Sequence, residues 1–153
     1  MSNNEGALKL RCHPRETKFF YGHEQIEAQL GSLLKNGHLP SAILLTGEKG
    51  IGKATLAYRL ARKMLGIKLL PTNNDLFASH VDDDLSVPIK SRISAQIASQ
   101  GHPDLFVLEK GKNSRTGRYR TEITVGEARE LHNFLRLTPA DSIFKVAIVD
   151  SAD

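Results

Sequence analysis

Cysteine is nearly absent from this sequence, with Cys12 the single one among 153 residues. One cysteine excludes an internal disulfide framework and a zinc module built from four cysteines, and it is typical of proteins kept in a reducing cytoplasm. Long apolar runs are also missing, since no stretch approaches the roughly 18 residues that span a membrane. Residues 1–5 are polar and include the acidic Glu5, which is unlike a secretory signal peptide. We therefore expect a cytoplasmic protein without a membrane segment.

What the sequence does contain is the composition of a globular domain. Hydrophobic residues make up 40% and charged residues 25% of the chain, and the mean hydropathy is -0.29. The length is that of one ordinary domain and is short for two well-packed cores. The formal net charge of +4 and the pI of about 9.3 make the chain mildly basic, which is compatible with nucleic-acid binding without demonstrating it.

Alternating strand and helix patterns predict an α/β fold. Short apolar runs bounded by turn residues predict strands at residues 42–46, 105–108 and 144–149. Helical apolar spacing and capping residues predict helices over residues 23–36 and 53–65, between Ser86 and Gly101, and from a capping box at Thr124 and Glu127 to Pro139. Strands separated by helices favour a parallel sheet covered by helices on both faces. Residues 1–17 lack periodicity and are predicted to be a loose tail before a domain over residues 18–153.

The most informative segment is a glycine-rich turn at residues 47–53, between a predicted strand and a predicted helix. It matches most of the phosphate-binding loop G-x-x-x-x-G-K-[ST]. Glycines let successive backbone N–H groups point at one anion, the next helix presents its positive end, and the lysine reaches the outer phosphates. We predict a phosphate or nucleotide site formed by Gly47, Gly50, Ile51, Gly52, Lys53, Ala54 and Thr55. A plain glycine turn between a strand and a helix is the alternative.

The residue after Lys53 departs from that pattern. A serine or threonine there donates a hydroxyl ligand to Mg²⁺, whereas Ala54 has no oxygen in its side chain. Thr55 lies one residue further, about 100° around the helix, and does not simply replace it. We therefore predict that a nucleotide can bind through the loop while magnesium-assisted hydrolysis is impaired.

An acidic residue ends the last predicted strand. Asp150 follows an apolar run and is expected at the carboxyl edge of the sheet, where sites lie in α/β folds. A Walker B acid at this position holds the water shell of a metal ion. Ring-forming ATPases usually follow that acid with a glutamate that polarises the attacking water, but here Ser151 follows. We interpret Asp150 as the acid of a degenerate site, and a strand-end helix cap is the alternative.

Other aromatic and charged stretches favour structural roles. Phe19, Phe20 and Tyr21 are predicted to be a packing anchor before the first helix. The basic stretch at residues 110–120 is compatible with non-specific contacts to DNA phosphates, although a solvated loop is the favoured interpretation. The acidic run at residues 82–84 is also predicted to be a solvated loop, and the six histidines lack metal-ligand spacing.

Several short segments resemble a known protein family. In chain order they read HPRET from residue 13, YGHE from residue 21, LPSA from residue 39, LLTG from residue 44, GIGK from residue 50, GHPD from residue 101, REL from residue 129 and DSAD from residue 150. Their order and spacing resemble the AAA+ clamp-loader family, and within it the N-terminal module of the delta-prime subunit of bacterial DNA polymerase III. Residues 52–57 are similar to the alphaproteobacterial branch.

The resemblance implies a fold and a role. The fold is a three-layer P-loop sheet of the AAA+ and RecA-like kind, truncated here, with the lid and collar domains beyond residue 153. The role is in DNA replication, as part of the polymerase holoenzyme. There an arc of subunits (delta, delta-prime and gamma or tau) uses ATP binding to place the ring-shaped sliding clamp on primed DNA.

The resemblance also has consequences for the site. The delta-prime member is generally not a working ATPase, and Ala54 and Ser151 fit that role, so no catalytic residue is expected. ATP binding is allowed, and Mg²⁺ binding is expected to be weak or absent. Related subunits often carry a four-cysteine zinc module, but residues 66–101 contain no cysteine, so no zinc is predicted.

Two other functions stay open from the sequence. One is an active ATPase motor subunit of the gamma or tau type, in which the Thr55 hydroxyl serves magnesium after a local rearrangement. The other, less favoured, is a P-loop kinase for a small molecule, which needs an acceptor site and phosphate-binding arginines that the sequence does not reveal. The end of the chain shortly after an apolar strand leads us to expect that it is part of a longer subunit.

Overall fold

The computed structural model of the protein describes residues 13–17, 20–67, 85, 91–109 and 123–150. In chain order, these residues form helix α1 (Glu24–Lys35), helix α2 (Lys53–Leu65), helix α3 (Arg92–Ala98), strand β1 (Leu105–Leu108), helix α4 (Val125–Arg136) and strand β2 (Val146–Val149). The predicted helices over residues 23–36 and 53–65 are confirmed as α1 and α2. Several predicted features lie outside the described residues, namely residues 1–12, Phe19, the acidic run 82–84, Ser86, the basic stretch 110–120 and Ser151.

The two strands form a parallel sheet. Leu105 pairs with Val146 and Leu108 with Val149. Backbone hydrogen bonds extend the pairing at both ends, because the Val146 N–H donates to the Asp104 carbonyl and the Asp150 N–H donates to the Leu108 carbonyl, each at 2.9 Å. The prediction of parallel strands at residues 105–108 and 144–149 is therefore confirmed, with the second strand shortened at its start.

The predicted strand at residues 42–46 is wrong for this structure. The segment has no regular secondary structure, and Leu44 is 83% exposed and Ile43 39% exposed. A strand needs a neighbour that accepts and donates its backbone hydrogen bonds. Among the described residues only β1 and β2 pair with each other, and the run at 42–46 is joined to neither of them.

Helix α2 lies at the centre of the packing. Its Leu56 and Leu60 belong to one buried cluster with Leu30, Leu34 and Leu85. Its Tyr58, Ala61 and Leu65 belong to a second cluster with Ile97 of α3 and Ile148 of β2. A helix with apolar residues on two faces is held on two sides, so the residues at its N-terminus have a fixed support.

Helix α4 contacts the sheet through an aromatic pair. The rings of Phe106 in β1 and Phe134 in α4 have centroids 5.4 Å apart. Side chains alternate along a strand, so Phe106 points to the face opposite the one on which Leu105 and Val107 join the α2 cluster. The predicted capping box at the start of α4 is confirmed, because Thr124 accepts from the Glu127 N–H and the Glu127 carboxylate accepts from the Thr124 N–H.

A buried carboxylate joins the starts of the two strands. Asp104, fully buried just before β1, accepts hydrogen bonds from the backbone N–H groups of Ala140, Asp141 and Ser142 at 2.7, 2.8 and 3.0 Å. The Lys145 ammonium lies 3.7 Å from the same carboxylate. Burial raises the pKa of Asp104, but these hydrogen bonds and the lysine outweigh burial, so its pKa lies below its ordinary value.

The segment at residues 13–17 forms a turn that packs on α2. The Thr17 N–H donates to the His13 carbonyl at 3.1 Å. The buried Arg62 guanidinium donates to the carbonyls of Arg15 and Thr17. These residues belonged to the predicted loose tail, of which residues 1–12 are not described. The division of the chain at residues 17 and 18 stays a prediction.

Candidate functional site

The glycine-rich loop has the curled backbone that its sequence predicts. Gly47, Gly50 and Gly52 all have positive φ angles, of 142°, 89° and 104°. Gly52 is the N-cap of α2, and a Cβ atom built there would lie 2.5 Å from Cε2 of Phe20. Only glycine combines this backbone conformation with so close a neighbour, so position 52 needs glycine for two reasons.

The lysine of the loop folds back over it. Lys53 is the first residue of α2, and its Nζ donates to the carbonyls of Gly47 at 2.7 Å and Glu48 at 3.0 Å. The ammonium therefore lies against the first residues of the loop. An anion held in the loop would draw the same ammonium away from these carbonyls, because a charged acceptor forms the stronger hydrogen bond.

The N-terminus of α2 has the features of an anion site. Its N-cap forms no side-chain hydrogen bond with the first turn, and that turn contains no acidic residue. The first N–H groups of a helix lack intrahelical partners, and the helix dipole adds partial positive charge there. Phosphate groups are the usual ligands of such a terminus when a glycine loop precedes it.

The two residues after Lys53 occupy the first turn of α2. Ala54 and Thr55 are both partly buried there. Ala54 contributes no oxygen at the position where a P-loop protein binds magnesium. The structure brings all seven predicted loop residues into one turn and the start of one helix, while their role in binding stays a prediction.

Two acidic residues follow the two strands at one edge of the sheet. Asp150 comes directly after β2, as the sequence predicts, and Glu109 comes directly after β1. The Tyr58 hydroxyl, from α2, donates to Glu109 Oε1 at 3.1 Å. Burial, the carboxylate of Glu109 and, to a smaller extent, that of Asp150 raise the pKa of Tyr58. Glu109 was not among the predicted site residues, although an acid directly after an apolar strand is the signal that singled out Asp150.

Two aromatic rings from the segment before α1 contact the glycine loop. Phe20 and His23 stack with centroids 5.0 Å apart and an angle of 24° between their planes. Phe20 contacts Gly52, and His23 Nε2 lies 3.1 Å from the Ile51 carbonyl oxygen. The predicted packing role of the aromatic cluster is confirmed for Phe20, which packs against the cluster around Leu30. Tyr21 is 79% exposed instead, and Phe19 lies outside the described residues.

The described ranges contain neither a metal-binding cluster nor a membrane-spanning helix. No group of three or more His, Cys, Asp or Glu side chains there has the arrangement of a metal site. None of the helices α1 to α4 is long and apolar enough to cross a bilayer. The prediction that the protein binds no zinc stays a prediction.

Most of the chain matches one known protein family. The family model described as "DNA polymerase III, delta subunit" matches residues 22–153. The chain belongs to this clamp-loader family of AAA+ proteins. The matched range includes the glycine loop, both strands and all four described helices of this clamp-loader protein.

Individual relatives match a shorter part of the clamp-loader chain. A replication factor C small subunit of Methanocella arvoryzae is 39% identical over 56 residues, which are 37% of this chain and 17% of the relative. A replication factor C small subunit of Methanoculleus marisnigri is 38% identical over 66 residues, which are 43% of this chain and 20% of the relative. The aligned part thus spans about one fifth of these relatives. No solved structure gives a significant match.

Proposed function

We propose that this protein acts in DNA replication as a clamp-loader subunit of the delta-prime type, helping to place the sliding clamp on primed DNA. The observation that carries the proposal is the family match over residues 22–153, which includes a glycine loop with Lys53 at its end. The two relatives named as replication factor C small subunits support the same class of protein. The resemblance of the sequence supports delta-prime and a bacterial, alphaproteobacterial-like origin.

The nucleotide site of the proposed subunit is degenerate. Ala54 supplies no magnesium ligand, and Ser151 stands where an ATPase of this kind carries a catalytic glutamate. The loop retains its lysine, its glycines and the uncapped start of α2, so ATP can still bind through its phosphates. The proposed subunit can thus bind ATP with little or no hydrolysis of its own, and no catalytic residue is expected in it.

The proposed partners are the other subunits of the assembly. They are the delta subunit and the gamma or tau subunits, with the sliding clamp and primed DNA reached through the complex. In this proposal the described sheet is part of a larger three-layer P-loop sheet, which the strand pairing of β1 and β2 supports. The proposed site of action is the cytoplasm, in the polymerase holoenzyme.

Clamp loading by the reconstituted assembly and ATP hydrolysis by the protein alone test this proposal. Clamp loading on primed DNA is measured with and without this protein, and ATP hydrolysis is measured for the protein alone. We expect loading to depend on the protein and the protein alone to release no phosphate above background. The matched variants are Lys53→Ala and Lys49→Ala, which remove one lysine each from the same loop.

One outcome would replace this proposal with the active-motor alternative. Steady-state hydrolysis by the protein, lost in Lys53→Ala and kept in Lys49→Ala, would mean that the site is an active ATPase despite Ala54. Loading that proceeds equally well without the protein would contradict the clamp-loader role itself.

A further inference from the structure

We propose that the stacked rings of Phe20 and His23, the stacked pair, position the phosphate loop for anion binding. This inference rests on the proposed function, because it concerns the same loop. The stacked pair contacts the loop at two successive residues. Phe20 fills the space where a Cβ atom of Gly52 would lie, and His23 hydrogen-bonds the carbonyl of Ile51.

The direction of the His23 contact is fixed by chemistry. A carbonyl oxygen only accepts, so His23 Nε2 carries the hydrogen and donates it to Ile51 at 3.1 Å. The C=O of Ile51 and the N–H of Gly52 belong to one planar trans peptide and point in opposite directions. Holding the carbonyl on His23 therefore directs the Gly52 N–H away from the ring, toward the proposed anion site at the entry to α2.

The stacked pair is held in place by contacts outside the loop. Phe20 packs against the buried cluster that includes Leu30 and Leu56, and His23 is the N-cap of α1. The first turn of α1 is tied to α2 by Glu27, whose carboxylate accepts from the guanidinium of Arg59. The rings are thus held by α1 and the core, so they support the loop from a fixed position.

The stacked pair matters most when the Lys53 ammonium leaves the carbonyls of Gly47 and Glu48. In the structure, Lys53 donates to Gly47 and Glu48 and so holds the first half of the loop. A phosphate that engages the ammonium weakens those hydrogen bonds. The contacts of Phe20 and His23 lie on the second half of the loop and use neither the ammonium nor the Gly52 N–H. They can therefore persist in the anion-bound state and keep the loop curled.

Amide hydrogen exchange of the ligand-free full protein is the first test. Phe20→Ala is compared with Tyr21→Ala, which removes a neighbouring ring that is 79% exposed. We expect exchange of the Ile51 and Leu56 amides, which donate to the carbonyls of Glu48 and Gly52, to rise about tenfold in Phe20→Ala relative to Tyr21→Ala, with the β1 and α4 amides unchanged. Equal exchange of the loop in both variants, or a uniform rise across the chain, would overturn the proposal.

Two substitutions of His23 separate stacking from hydrogen bonding and serve if Phe20→Ala does not fold. His23→Phe keeps a ring but loses the donor, and His23→Gln keeps a donor but loses the ring. We expect both to speed exchange of the Ile51 and Leu56 amides, each less than Phe20→Ala. If amide exchange in neither variant differs from that in Tyr21→Ala, the stacked pair has no positioning role.

Binding of inorganic tripolyphosphate, measured by calorimetry without magnesium, tests whether the stacked pair affects the anion affinity of the loop. We expect Phe20→Ala to weaken this binding about tenfold and Tyr21→Ala to leave it as in the wild type. Equal affinity in the two variants would overturn the positioning role. Failure of the proposed function is a separate result. ATP hydrolysis by the wild-type protein would contradict a degenerate site without changing the exchange result.

Discussion

The carboxylate of Asp104 accepts hydrogen bonds from both the backbone N–H and the hydroxyl group of Ser142, at 3.0 and 3.3 Å. Both residues are fully buried. Asp104 lies directly before β1, and Ser142 lies in the turn that leads to β2. The contact therefore holds together the points at which the two strands start, and it supports the register that places Glu109 and Asp150 at one edge of the sheet.

Removing the charge of Asp104 should destabilise the fold. We expect Asp104→Asn to lower the free energy of unfolding by roughly 2–4 kcal/mol, because an amide N–H₂ group then faces backbone donors that have lost their charged acceptor. Urea unfolding measures the change. Asp141→Asn is the control, since that side chain is 45% exposed, and its effect should stay within about 0.5 kcal/mol. Equal effects of the two variants would show that the carboxylate is not what holds the turn.

The same carboxylate should make stability depend on pH. The pKa of Asp104 is lower in the folded protein than its ordinary value, so ionised Asp104 stabilises the fold above the unfolded pKa of about 3.9. This contribution is lost as the pH falls through the lower folded pKa. The difference in unfolding free energy between wild type and Asp104→Asn should be constant from about pH 7 to pH 5 and shrink below about pH 4. A difference that does not change over this range would contradict the assignment.

The contrast between α2 and the segment at residues 42–46 shows what the sequence could predict. The bounds of α2 followed from apolar spacing and flanking glycines, which are local signals. The run at 42–46 has the apolar character of a strand, but strand formation depends on a partner far away in sequence. The contacts of Asp104 with residues 140–142 and of Phe20 with Gly52 are also long-range, so no spacing rule revealed them.

Gly52 and Phe20 should be energetically coupled. Gly52→Ala places a methyl group against the Phe20 ring and a non-glycine residue at a φ of 104°, and we expect it to lower the free energy of unfolding by roughly 1–3 kcal/mol from the backbone alone. In Phe20→Ala the ring is gone, so the added methyl group meets less resistance. A double-mutant cycle should therefore give a coupling of about 1 kcal/mol.

Gly50 provides the matched control for that cycle. Its φ is 89°, but no atom of the described residues lies within 4 Å of a Cβ atom built there. Gly50→Ala should therefore show the backbone cost without any coupling to Phe20→Ala. A coupling of similar size for both glycines would mean that loss of Phe20 loosens the whole loop and that no specific contact exists.

The buried Arg62 should determine whether residues 13–17 stay packed on α2. Its guanidinium donates to Arg15 and to Thr17, the latter at 3.4 Å, and burial lowers its pKa. Arg62→Met keeps an apolar stem of similar length in the core but removes both donors. We expect trypsin to cleave after Arg15 about tenfold faster in this variant, because local release of the segment exposes the bond. Lys63→Met, one residue along the same helix, should leave that rate unchanged, and an equal acceleration in both variants would contradict the role of Arg62.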